Sequence, residues 1–124
     1  LDRLDGAIDI PAHAYVALSL ARKNLARRSR ARVAGLDAIL QPTSPLCAPK
    51  LEDVSDPALA SAFTKRALQL TRMANVYEFT ACSIPAGLSD RGLPVGLDIA
   101  APAGSDMSNL RLAQSVGHCL AAPA

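Results

Sequence analysis

Apolar and polar positions along the chain follow two spacings, and the elements can be read from them. From Asp9-Ile10-Pro11 the apolar positions run through Tyr15, Leu18, Leu25 and Val33 to Gly35. That spacing predicts a helix over 11–34, with Pro tolerated in its first turn and Gly as its stop. At 1.5 Å per residue such a rod is roughly 35 Å long. Leu36-Asp37-Ala38-Ile39-Leu40 is short and apolar, as a buried strand is, and Pro42, Pro45 and Pro49 hold the next stretch as an extended loop. Ser55-Asp56-Pro57 is a cap followed by Pro, and Leu59, Ala62, Phe63, Leu70, Met73 and Tyr77 then mark one helical face. Thr80 to Ile84 reads as a second strand closed by Pro85-Ala86-Gly87. Val95, Leu97 and Ile99 read as a third. Gly104-Ser105-Asp106 opens a last helix whose Met107, Leu110, Ala113, Gly117 and Leu120 share a face.

The order helix, strand, helix, strand, strand, helix predicts an α/β class with about three short strands and three helices. Three short strands leave edges that need pairing or cover. The expectation is that this piece completes a larger sheet.

Composition sharpens that expectation. The 124 residues are 50% hydrophobic and 19% charged, a globular balance. Only four aromatics (Tyr15, Phe63, Tyr77, Phe79) and no Trp occur, and alanine supplies much of the apolar content, so an isolated core is expected to be thin. The first residue is Leu1 rather than Met, as expected of an excised or processed piece. No apolar stretch approaches the ~20 residues of a membrane span, and no signal-peptide layout opens the chain. Cys47, Cys82 and Cys119 are odd in number and far apart, and His13 and His118 are distant from each other. Neither a disulfide framework nor a zinc site is expected, and reduced thiols in a cytoplasmic setting are the plainer reading. Cys47 and Cys82 read as small hydrophobes in or beside strands. His118 and Cys119, adjacent on a helix, point about 100° apart and form no dyad.

Arg22, Lys23, Arg27, Arg28, Arg30 and Arg32 form a basic run without an acid. On a helix these side chains point around roughly 0°, 100°, 140°, 240°, 80° and 280°, and so are not gathered on one side. A groove-reading helix concentrates them, and stacking aromatics are absent from the run. The run reads as a solvated helix with some carboxylate partners, and nucleic acid is not the expected partner.

Three segments carry a resemblance. Leu36-Asp37-Ala38-Ile39-Leu40-Gln41-Pro42-Thr43 with the downstream Ala48-Pro49 follows D-x-[IL]-L-x-P-T and A-P. Thr71-Arg72-Met73-Ala74-Asn75 running on to Ser83-Ile84-Pro85-Ala86-Gly87 is an Asn-containing helix end followed by a strand finishing in P-x-G. Gly92-Leu93-Pro94-Val95-Gly96-Leu97-Asp98-Ile99 follows G-L-P-[VI]-G-L-Q-[IL]. In this order and spacing, with 36–120 the best-matching stretch, the chain resembles the C-terminal portion of the amidase signature family. The resemblance implies an α/β/α fold with a mixed sheet, and a parent that cleaves linear C–N amide bonds without metal or organic cofactor. Two departures stand out: where the family often has Gly and Pro after Asn75, this chain has Glu78 and Thr80. The loss of a permissive residue and a fixed φ predicts a different local backbone. Asp98 in place of the usual Gln is a smaller change.

The family's Ser–cis-Ser–Lys triad has no counterpart in this sequence. It contains no adjacent serines, and Lys23, Lys50 and Lys65 lie outside the expected context. No catalytic residue is carried over. What the chain can offer is shape: Pro42, Thr43 and Ser44, at a strand end where α/β sheets place ligand crevices, are candidate pocket residues. The bland reading of that loop is a Pro-stiffened connection. Asn75 is a candidate pocket group or, more simply, a helix C-cap. The expected partners are the chain's own N-terminal portion, a small amide substrate and further copies in a homo-oligomer. A glutamyl-tRNA amidotransferase A-type subunit or an allophanate-type hydrolase is an alternative parent. An interaction module binding an acidic partner through the basic helix is the alternative from another class.

Overall fold

The computed structural model describes residues 8–121. Its elements are α1 (Ala12–Arg32), β1 (Ile39–Pro42), a 3-10 turn (Glu52–Val54), α2 (Pro57–Ala67), α3 (Arg72–Tyr77), β2 (Phe79–Leu88), β3 (Pro94–Pro102) and α4 (Asp106–Ala121). The strands form one sheet in the order β1-β3-β2. Both pairings are antiparallel, β1 to β3 from Ile39↔Ala100 to Pro42↔Leu97 and β2 to β3 from Phe79↔Pro102 to Leu88↔Pro94. Among the described residues the sheet is therefore antiparallel throughout, and the mixed sheet is implied only for the whole family fold. Ser89 makes the β2–β3 turn: its N–H donates to Leu93 O at 2.8 Å, and its Oγ accepts from Leu93 N at 3.2 Å.

Among the described residues four helices stand where three were expected, because the second predicted helix breaks at residues 68–71. Asp56 caps α2 as read, its Oδ1 accepting from Ala58 N at 2.7 Å and Leu59 N at 3.1 Å. At the break, two side chains take carbonyls that a continuing helix would use: Gln41 Nε2 donates to Leu70 O at 3.3 Å and Thr71 Oγ1 to Leu68 O at 3.2 Å. Gln41 Nε2 also donates to Asp98 Oδ2 at 3.0 Å. Asp98 is buried, and is the cross-strand partner of both Gln41 and Ser83. The break thus anchors α3 to the sheet.

Strand bounds also shift. β1 starts at Ile39 rather than Leu36, and β2 continues through Pro85-Ala86-Gly87, with its register slipping between Pro85 and Leu88. Pro85 lies on an edge strand, where its missing N–H is tolerated.

The core is small, as the composition implied. Its buried apolar residues are Ala26, Phe79, Ile99, Ala100, Ala101 and Ala113. α4 buries Asn109 and Ala113, while Met107, Leu110 and Leu120 of its predicted face are exposed. The reason is polar: Asn109 Nδ2 donates to Ile99 O at 3.0 Å, which turns that side of the helix to the sheet. On α1, Tyr15, Leu18 and Leu25 are exposed and only Ala26 is buried, because the helix packs chiefly against the short α3.

Position 78 has an unusual backbone. Glu78 ends α3 in the left-handed conformation at φ 57°, a backbone geometry that suits glycine better than a residue with a side chain. A side chain there costs about 1–2 kcal/mol. Two arginines of the basic run hold it: Arg22 Nη1 lies 3.0 Å from Glu78 Oε1 and Arg30 Nη2 lies 3.2 Å from Oε2. The basic run thus has the carboxylate partner expected of it.

Two predictions follow from these contacts. Glu78→Ala keeps the strain and loses both ion pairs, and is expected to cost about 1 kcal/mol in denaturant titrations. Glu78→Gly loses the same pairs but relieves the backbone, so its midpoint should lie near the parent's; equal losses in the two variants would refute the strain. Asn109→Ala leaves the Ile99 carbonyl without its side-chain donor and is expected to cost about 1–3 kcal/mol, read from the same titration.

Candidate functional site

The sheet's two edge strands bring hydroxyls together across the central one. Thr43 leaves β1 with its N–H donating to Gly96 O at 2.9 Å, which ties the start of the loop to β3. Its Oγ1 hydrogen-bonds Ser83 Oγ on β2. Gly96 lies directly against this pair. A Cβ there would come 2.7 Å from Thr43 Oγ1 and 2.9 Å from Ser83 Oγ, closer than van der Waals contact permits. Glycine within a strand often marks such a close approach.

Beside the pair is a cavity of about 260 Å³ lined by Thr43, Ser44, Cys47, Ser83 and Gly96, with Pro45, Leu46, Pro94 and Val95 supplying its apolar surface. Ser44 Oγ accepts from Leu46 N at 3.3 Å and shapes the loop at the rim. A second, larger cleft of about 730 Å³ adjoins it, with Leu46 and Cys47 lining both.

Of the residues singled out from the sequence, Thr43 and Ser44 line the smaller cavity, and Pro42 is the last residue of β1. Asn75 stands apart. It is exposed on α3 and does not line the cavity, and the C-cap role falls to Glu78, whose N–H donates to Ala74 O. Ser83 and Gly96 were not singled out. Period-two alternation puts residues 81, 83 and 85 of β2 on one face, but only the register Ser83↔Asp98 and Pro85↔Gly96 shows which residues of β3 lie beside them.

Chemically, the two hydroxyls can orient a polar group. Among the described residues neither has a lysine, histidine or carboxylate as hydrogen-bond partner, so neither is activated as a nucleophile. No group of three or more His, Cys, Asp or Glu among the described residues is arranged to hold a metal ion.

The family model for Amidase matches residues 6–110. The chain belongs to the amidase family. It is 34% identical over 108 residues to the A-type subunit of the glutamyl-tRNA(Gln) amidotransferase of Koribacter versatilis, covering 87% of this chain and 22% of that protein. It is 28% identical over 111 residues to the 2-amino-5-chloromuconic acid deaminase of Comamonas testosteroni, covering 82% of this chain and 24% of the relative. Among solved structures, the allophanate hydrolase of Kluyveromyces lactis superposes with a TM-score of 0.78 at 26% identity over 90% of this chain and 18% of that one. The chain thus spans about a quarter or less of the length of these relatives, and the three motif segments, residues 36–99, lie within the matched stretch.

Gly96→Ala is expected to destabilise the protein by about 1–3 kcal/mol through overpacking. Repeating it in a background carrying Thr43→Ala and Ser83→Ala removes the two nearest obstacles, and the cost should fall. Denaturant midpoints of the four proteins check this, and an equal cost in both backgrounds would show that the hydroxyls are not what excludes a side chain.

Proposed function

We propose that this chain is the C-terminal portion of an amide hydrolase acting on linear C–N bonds, completing its sheet and lining its substrate pocket through Thr43 and Ser44, with Ser83 beside them. The observation that carries the reading is the convergence of Thr43, Ser83 and Gly96 at a cavity, in a chain of this family. The reacting serines and the lysine base belong to the N-terminal portion of the same enzyme, which is the principal partner; a small amide is the substrate, and no metal or organic cofactor takes part. The cavity's share is orientation: a hydroxyl pair can hold an amide in place while a nucleophile supplied from elsewhere attacks.

The exposed apolar side chains of α1, among them Tyr15, Leu18 and Leu20, support cover by further polypeptide or by another copy. The engagement of Arg22 and Arg30 with Glu78 weighs against the interaction-module reading. Cys47, Cys82 and Cys119 are free thiols, in keeping with a reducing, cytoplasmic setting. No helix among the described residues is long and apolar enough to cross a membrane.

In the active enzyme, Thr43→Ala is expected to raise KM roughly 3–10-fold with kcat nearly unchanged, the mark of lost uniform binding. Steady-state kinetics on a simple amide such as benzamide check this. Robust amide hydrolysis by the purified 124-residue chain alone would overturn the assignment of catalysis to the N-terminal portion.

A further inference from the structure

The larger cleft, of about 730 Å³, has a chemistry the smaller cavity lacks. Its wall includes Leu46 from the loop after β1, Phe63 from α2 and Leu93 from the β2–β3 turn, with Arg66 and Arg91 reaching it from two separate elements. Unlike Arg22 and Arg30, the Arg66 and Arg91 guanidiniums make no ion pair or side-chain hydrogen bond among the described residues. The remaining charged lining residues are Lys50, already 3.2 Å from the Glu52 carboxylate, and Asp53. Lys50, Arg66 and Arg91 outnumber the single lining carboxylate, Asp53, and the exposed Lys50–Glu52 pair leaves the two guanidiniums as the free cations among the described residues, so the cleft is net positive. An anion suits that charge, and the apolar wall of Leu46, Phe63 and Leu93 suits an apolar-bodied one better than inorganic phosphate.

We propose that this cleft binds the carboxylate of a small, apolar-bodied monoanion, held by Arg66 and Arg91 with its body against Leu46, Phe63 and Leu93. Guanidinium donors match a carboxylate's two oxygens, and the volume lies within the range of small-molecule sites. Because Leu46 and Cys47 line both cavities, a ligand seated in this way extends toward the Thr43–Ser83 pair. The extension to substrate, an amide that also carries a carboxylate, rests on the amide-hydrolase reading above; the binding site itself does not.

The test is titration of the protein with benzoate, followed by NMR shifts and calorimetry, with benzamide and inorganic phosphate as controls. Saturable benzoate shifts at Leu46, Phe63 and Leu93, with benzamide and phosphate weaker, are expected. Arg66→Gln and Arg91→Gln should each weaken benzoate about tenfold, while Arg66→Lys, which retains the charge, recovers part of the loss. Both variants alter exposed side chains, and an unchanged backbone spectrum verifies their fold. Benzamide binding as well as benzoate, or full benzoate affinity in the doubly substituted protein, would overturn the proposal. Benzoate binding that survives in a protein found to hydrolyse no amide sustains the cleft and removes only the functional reading. Amide hydrolysis without benzoate binding removes only the cleft.

Discussion

Strand β3 is hydrogen-bonded along both edges, and the other elements take their places from it. Ile99, Ala100 and Ala101 are its most buried residues, and their main chain is shared with β1, β2 and the Asn109 side chain of α4. On one face, Asp98 reaches through Gln41 to the Leu70 carbonyl and so fixes where α2 gives way to α3. Further along the same strand, Gly96 lets Thr43 and Ser83 meet. One strand therefore sets helix position, strand pairing and site geometry. The short side chains of Ala100, Ala101 and Gly96 let neighbouring elements come close, a freedom that larger side chains would remove.

The elements themselves were largely legible. The Asp56-Pro57 helix start, the two strands on either side of Ser89–Gly92 and the last helix after Ser105 each depend on local chemistry that a short window of residues contains. The break at residues 68–71 was not legible, because its cause lies across the fold: Gln41 is far away in sequence, yet its amide takes the Leu70 carbonyl. The buried face of α4 was misread for a related reason. Periodicity favours Met107, Leu110, Ala113, Gly117 and Leu120, of which Ala113 is buried, whereas Met107, Leu110 and Leu120 are exposed because polar Asn109 donates a hydrogen bond to a strand carbonyl. Half of the site was visible in the Pro42-Thr43-Ser44 strand end. Ser83 was hidden, because alternation along β2 does not say which β3 residue it faces.

The exposed apolar residues have the same kind of explanation. Tyr15, Val16 and Leu18 on α1 point to different sides of the helix, and their spacing does not say what covers them. The chain belongs to the amidase family and spans about a fifth of a relative's length. The hydroxyl pair is by itself a contact between neighbouring strands, and only under the proposed function does it become a wall with polar handles.

The left-handed glutamate at position 78 also constrains the order in which substitutions could have accumulated. Arginine on the solvent side of α1 is harmless with no partner, so Arg22 and Arg30 could arise at any time. A glutamate at the left-handed end of α3, by contrast, carries a backbone cost from the start, which neighbouring cations offset only if they are already present. The path with arginines first runs level, and the opposite path begins with a step down. Two exposed positions on one helix thereby act as the permission for a third on another, although no motif connects them.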